Sequence, residues 1–290
     1  MTNPLPICYL NGEFVELGQA RISPLDRGFL FADSVYEVLP AFGGRMFRFR
    51  EHFDRLARSL KEIQLPSPHT HGEWLALLDE LIRRNGSADM YVYVQVTRGV
   101  EYGRNHAFPQ NTTPSVFAMA APLPRLKGEE RETGVSAITV QDCRWGRCDI
   151  KATGLLANVL MKQQAAEAGA QEAIIVSGSE VLEGASTSVF VVRGDSLLTP
   201  PNSHRILPGT TRDVVLELAA ASMSVEIRPI SLQELREADE VWLSAATRDA
   251  IPVTKVDGAR VGTGRPGVHW KRIDAEFAEL RTRLAASPVL

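Results

Sequence analysis

Three glycine-bearing dipeptides, Asn11-Gly12, Gly43-Gly44 and Asp257-Gly258, interrupt short runs of strand-forming residues towards both ends of the chain. Such pairs supply the positive φ angles that a two-residue hairpin turn requires. The sequence therefore predicts hairpins pairing Ile7–Leu10 with 13–15 and 38–42 with 46–49, and a further one around Asp257-Gly258. Between the hairpins the period changes. Phe53, Leu56, Leu60 and Ile63 recur at spacings of three and four, which marks one apolar helix face. Trp74, Leu77, Leu78 and Leu81 do the same over 72–84, with Gly86 placed as a C-cap. Residues 91–97 read as a strand rich in β-branched and aromatic side chains.

Further on, helices are predicted over 155–168, 210–221 and 269–285, and strands over 172–177, 181–183, 187–192, 225–229 and 240–244. Helices and strands mix without a regular βαβ rhythm, which favours an α+β fold over a doubly wound parallel sheet. Pro122, Pro124 and Gly128 mark a change of composition. They divide the chain into an N-terminal α+β domain (1–120), a linker (121–128) and a C-terminal domain (129–290).

Composition narrows the function. The chain has 290 residues, 44% hydrophobic, which is ordinary globular composition. The net charge is −3 with no charged run, so neither nucleic acid nor an anionic membrane is an expected partner. Cys8, Cys143 and Cys148 make an odd count without CxxC spacing, so no disulfide framework or metal site is expected, and inert thiols are the default. No apolar run reaches the roughly 20 residues of a membrane span. The N-terminus has no basic stretch and no apolar core of a signal peptide, so the cytoplasm is the expected address. GxxxxGK[ST], GxGxxG after a strand, HExxH and GxSxG are all missing.

Two local features point to chemistry. Leu207-Pro208-Gly209-Thr210-Thr211-Arg212 leads into a predicted helix whose N-terminus could receive an anion, although a helix capped by its own threonine is commoner. Lysine is scarce, at Lys61, Lys127, Lys151, Lys162, Lys255 and Lys271. Lys151, between an apolar stretch and a helix start, could serve as a Schiff-base nucleophile, but on position alone a solvated helix-start lysine is much the commoner reading.

Asp26-Arg27-Gly28-Phe29, Tyr36-Glu37-Val38 and residues 51–56 resemble the N-terminal domain of fold-type IV pyridoxal-phosphate enzymes. Residues 95–99, 104–109, 144–151, 180–184, 207–215 and 251–253 resemble, within that family, the D-amino acid aminotransferases. The resemblance implies a two-domain α+β fold with a smaller N-terminal domain and a larger barrel-like C-terminal one. It implies pyridoxal 5'-phosphate as cofactor and transamination between a D-amino acid (D-alanine or D-glutamate in type) and a 2-oxo acid such as pyruvate or 2-oxoglutarate. Aminodeoxychorismate lyase, R-selective amine transaminase and branched-chain L-amino acid aminotransferase are the alternatives on the same fold.

The resemblance also assigns residues. Lys151 matches the Schiff-base lysine and proton carrier, and Glu183 the acid that pairs with the pyridine nitrogen. Arg55, Thr210 and Thr211 match the phosphate pocket, and Leu207 the residue on the ring face. Ser186 and Ala246 complete the cofactor set. Tyr36, Arg104 and His106 match the trio that captures the substrate α-carboxylate, the last two supplied by a partner subunit, which implies a homodimer. Arg-x-His spacing puts both side chains on one face of an extended segment. Three departures stand out. Ser188 replaces an asparagine, Ala245 and Ala246 replace hydroxyl donors, and Pro40 replaces a more typical strand residue beside the expected site.

Overall fold

The computed structural model describes residues 3–86, 89–124, 126 and 128–286. The chain divides into two compact units. One comprises Met1–Pro124, Ile150–Gly154 and Arg281–Leu290, the other Arg125–Asp149 and Leu155–Leu280. Arg125 and Lys127, within the predicted linker, lie outside the described residues.

The first unit is built on a six-stranded antiparallel sheet in the order β2-β1-β6-β5-β3-β4. β1 (Ile7–Leu10) turns at Asn11-Gly12, with φ of 49° and 103°, into β2 (Glu13–Glu16). A one-turn helix, α1 (Arg27–Phe31), precedes β3 (Ser34–Phe42), which turns at Gly43-Gly44 (φ 56° and 77°) into β4 (Arg45–Met46). The predicted return strand over 46–49 is cut short: Arg48 takes a left-handed φ of 55° and α2 (Phe49–Glu62) starts at once. α3 (His71–Asn85) opens with a capping box between Thr70 and Glu73 and stops at Gly86, φ 62°. β5 (Met90–Thr97) and β6 (Ser115–Pro122) complete the sheet, and β6 extends into the segment predicted as linker. Phe53, Leu56 and Leu60 of α2 and Trp74, Leu78 and Leu81 of α3 join Val35, Leu39, Val92 and Val94 in one core.

β4 pairs only with Ala41 and Phe42, which leaves the other end of the β3 edge available. Residues 150–154 occupy it. The Tyr36 N–H donates to the Lys151 carbonyl (3.0 Å), the Thr153 N–H donates to the Ser34 carbonyl (3.2 Å), and Val35 bridges to Ala152.

The second unit carries a ten-stranded mixed sheet. Its elements are α4 (Gly128–Thr133), β7 (Val135–Gln141), α5 (Leu156–Glu167), β8 (Glu172–Ser177), β9 (Glu180–Gly184), β10 (Ser188–Arg193), β11 (Ser196–Thr199), α6 (Thr210–Ala219), β12 (Ser224–Ile227), β13 (Ile230–Ser231), α7 (Leu232–Arg236), β14 (Glu240–Ala245), β15 (Asp249–Val256), β16 (Ala259–Arg260) and α8 (Val268–Ala286). The strand order is β12-β11-β10-β14-β15-β7-β8-β9-β13, with β16 on β15. Two crossovers, β7-α5-β8 and β11-α6-β12, join parallel strands, and β15 and β7 are also parallel; the other pairs are antiparallel. Both units together give the α+β class that the irregular alternation predicts. β7 and β11 escape the sequence reading, because their serines and threonines dilute any apolar run.

The third dipeptide joins β15 to β16 with φ of 49° at Asp257 and 79° at Gly258. A Cβ on Gly258 would touch nothing within 4 Å, so Gly258→Ala isolates backbone strain. It is expected to lower stability by about 1–2 kcal/mol, read as a urea midpoint shift without a change in slope.

Candidate active site

Lys151 is held by its main chain. Besides the bond from Tyr36, its N–H donates to Ser59 Oγ on α2 (3.3 Å). Its amine lies 4.3 Å from the centroid of the Tyr36 ring and makes no hydrogen bond or ion pair among the described residues. Tyr36 stacks in turn on Tyr93 (5.6 Å), whose hydroxyl donates to Gln95 Oε1 (2.8 Å). Burial, with Tyr36 alongside, holds the Tyr93 phenol above its ordinary range, so it stays a donor.

Behind Tyr36 lies a buried charge cluster. Glu37 is fully buried and accepts two hydrogen bonds from Arg55, Nε to Oε1 (2.7 Å) and Nη2 to Oε2 (2.8 Å). His52 Nδ1 lies 2.8 Å from the same Oε2. Burial pushes the Glu37 carboxyl up, but the Arg55 charge and the bonds from Arg55 and His52 outweigh it and hold Glu37 well below the carboxylate range. Burial also presses His52 below its ordinary value, assisted by the Arg55 and Lys151 charges and opposed by Glu37.

Arg104 and His106 sit on the exposed loop between β5 and β6. Both meet Phe31: the Arg104 guanidinium at 5.0 Å and the His106 ring at 5.2 Å. The structure brings these two together and does not bring either to Tyr36, since no hydrogen bond or ring contact links them among the described residues.

In the second unit, Glu183 at the end of β9 is nearly buried. One oxygen accepts from Arg144 Nη1 and the other from the Leu207 N–H (3.1 Å). Arg144 is itself gripped by Asp142, with Nε at 2.9 Å and Nη2 at 3.1 Å, and donates to the Arg205 carbonyl at 3.0 Å. Burial works against the Arg144 charge, but Asp142 and Glu183 keep it above the ordinary arginine range. Burial also pushes the nearby Cys148 thiol up to about 11, which keeps it protonated and unreactive.

The same unit carries a cradle that fits a phosphate group. Gly209 precedes α6 without any side-chain cap, and Thr210 and Thr211 form its first turn. A Cβ on Gly209 would lie 2.7 Å from Ser188 Oγ. Ser244, paired with Ser188 across β10 and β14, has a buried hydroxyl with no hydrogen-bond partner. An uncapped helix start, a close main-chain approach and an unused buried hydroxyl suit an anion. Ala246 is in the turn between β14 and β15, where only its N–H can donate. Ser186 donates its hydroxyl to Glu172 Oε2 (2.9 Å).

Sequence reasoning overlooks Glu37, His52, Tyr93 and Arg144. Glu37 has a legible signal: it falls in phase with Val35 and Leu39 on the buried face of β3, where an acid needs a partner. His52 and Arg55 share one face of α2 with Phe53 and Leu56, which marks where that partner comes from.

Glu37 titrates below its ordinary 4.5 and His52 below its ordinary 6.5. Both contributions to stability are therefore complete at neutral pH and are lost on acidification, because the unfolded chain takes up protons first. Glu37→Gln is expected to cost about 3–5 kcal/mol at pH 7, as it leaves Arg55 buried beside a neutral amide. Its stability should also fall less steeply than the parent's as pH drops towards 4. Urea unfolding across pH 4–7 checks this, and parallel curves would remove Glu37 as the origin.

Residues 34–256 match the model of the family Amino-transferase class IV. The chain is 37% identical over 271 residues to D-alanine aminotransferase of Staphylococcus haemolyticus, covering 93% of this chain and 95% of that one. It is 39% identical over 264 residues to D-alanine aminotransferase of Bacillus licheniformis, covering 91% and 93%. Among solved structures, it is similar to branched-chain amino acid aminotransferase of Escherichia coli (TM-score 0.88, 29% identity, 95% and 94% covered). It is also similar to the T.th. branched-chain amino acid aminotransferase with pyridoxamine 5'-phosphate (TM-score 0.89, 26% identity, 97% and 95% covered). The fold is that of the fold-type IV enzymes, and the chain belongs to the class IV aminotransferases.

Proposed function

We propose that this enzyme uses pyridoxal 5'-phosphate to transfer an amino group between a D-amino acid, D-alanine or D-glutamate in type, and a 2-oxo acid such as pyruvate or 2-oxoglutarate. The observation that carries the reading is Lys151, a lysine fixed by its main chain whose amine rests on the Tyr36 face without an acid partner. Lys151 Nζ, with no carboxylate partner among the described residues, would hold the cofactor and serve as the base that takes and returns the proton of the substrate α-carbon. Pyridoxal phosphate, when bound, draws off the electron pair left at that carbon.

The remaining residues bind and orient. Glu183, steadied by Arg144 and the Leu207 N–H, supplies the carboxylate for the ring nitrogen. Leu207 would lie against the face of that ring. The phosphate is assigned to Thr210 and Thr211 at the start of α6 and, on the resemblance, to Arg55, whose guanidinium Glu37 orients. Ala246 contributes an N–H, and Ser186, its hydroxyl committed to Glu172, contributes main chain. Tyr36, Arg104 and His106 receive the substrate α-carboxylate, Arg104 and His106 coming from the partner in a homodimer. Exposed Phe29 and Tyr102 near that loop support an interface there. A cytoplasmic address is part of the proposal; no helix among the described residues is long and apolar enough to cross a membrane.

The visible spectrum of the purified protein tests the reading. Cofactor absorbance that changes with D-alanine and not with L-alanine is the expected result. A change with L-alanine alone would move the enzyme to the branched-chain L-type, the reading favoured by the structural neighbours. Lys151→Ala is expected to abolish turnover. Arg104→Ala is expected to raise KM for D-alanine by about 10- to 100-fold with little effect on a simple amine. Equal effects on both would argue against carboxylate capture, and pyruvate release without an acceptor would indicate the lyase.

A further inference from the structure

The loop that bears Arg104 and His106 has no helix or strand of its own, yet it is anchored from beneath. Arg27, at the start of α1, is 3% exposed although it is a charged residue beside an open loop. Its Nη1 donates to Glu101 Oε2 (2.6 Å) and to the Asn105 carbonyl (2.7 Å), and its Nη2 donates to the His106 carbonyl (3.3 Å). Its Nε donates to Asp33 Oδ2 (2.9 Å), and its guanidinium faces the same Phe31 ring that Arg104 and His106 meet (4.9 Å). Asp33 also accepts two bonds from Arg98 (2.7 and 3.0 Å), and the Arg98 guanidinium lies 3.8 Å from the Phe108 ring, at the far end of the loop.

The platform under Arg27 is equally fixed. Asp26 caps α1 by accepting from the Gly28 N–H (2.8 Å) and accepts from Ser115 Oγ of β6 (2.6 Å). A Cβ on Gly28 would lie 2.5 Å from Thr97 Cγ2, so only glycine lets α1 settle on β5. Asp26-Arg27-Gly28 thus acts as a unit: a cap, a latch and a close contact.

We propose that Arg27 is a positioning residue that sets specificity for substrates bearing an α-carboxylate. It holds the main chain at Asn105 and His106 so that the Arg104 and His106 side chains present one fixed pair of donors, with Phe31 as the shared backstop. The proposal rests on the reading that this pair receives the substrate carboxylate. A fixed pair loses little entropy on binding, whereas a loose loop has to be ordered by each substrate.

The test combines kinetics with a readout that needs no turnover. Arg27→Gln is expected to raise KM for D-alanine by about 10- to 100-fold, with kcat on a chiral amine lacking a carboxylate near the parent value. Tryptic cleavage after Arg104 is expected to speed up by about tenfold or more as the loop loosens. Arg27→Lys restores charge without the fork and is expected to recover only part of the D-alanine KM. Should Arg27→Gln fail to fold, Glu101→Gln removes a single strut, and a smaller effect in the same direction is expected. Parental KM and parental cleavage rate in a folded variant would overturn the proposal. So would equal losses on D-alanine and on the amine, which would mark a merely structural role. Failure of the underlying reading is distinct: Arg104→Ala would then leave the D-alanine KM unchanged while cleavage in Arg27→Gln still accelerated.

Discussion

The first unit depends on one short stretch of edge pairing. Residues 151–153 hydrogen-bond to Ser34 and Tyr36 on the side of β3 that β4 leaves unpaired. The carbonyl of Lys151 is fixed by Tyr36 and its N–H by Ser59, so both flanks of the Cα are determined before the side chain is considered. A long, flexible amine gains precision from such a base, because only its own rotamers remain to be chosen.

The buried Glu37–Arg55 pair plays the complementary part beneath that edge. Charge inside a core is costly unless every polar atom has a partner, and Glu37 satisfies both oxygens with Arg55 and His52. In exchange, the guanidinium cannot swing. Glu183 shows the same pattern in the second unit, where Arg144, Asp142 and the Leu207 main chain fix a carboxylate from two sides. In each case a charged group expected at the cofactor is backed by an opposite charge that is not.

Much of this is legible in the residues. The three turn dipeptides place the hairpins predicted from them, and all six of their residues take positive φ. α2 and α3 follow from apolar spacing to within a few residues. Weak strands such as β7 and β11 escape where serines and threonines hide the pattern, and β6 escapes because alanine signals no particular structure. At the site, Lys151, Glu183 and Arg55 are identified by resemblance to a known family, since spacing alone leaves Lys151 an ordinary lysine. Arg27 falls within a motif that carries the resemblance, yet the motif gives it no task. Two of its partners are main-chain carbonyls more than 70 positions away, which no local pattern encodes.

The return of residues 150–154 to β3 makes the first unit discontinuous in the chain, and so do residues from Arg281 onward, where Ala285 lies against Gly43. A ribosome making this protein delivers all six strands of the first sheet well before it delivers the lysine that completes their edge. Closing that edge spans more than 110 residues from Tyr36 to Lys151, and the Gly43–Ala285 contact more than 240. Contacts of such range are slow to form. The nascent first unit therefore keeps an open strand edge until residues 150–154 emerge, and the segment that carries Lys151 is available to seal it before most of the second unit has been made.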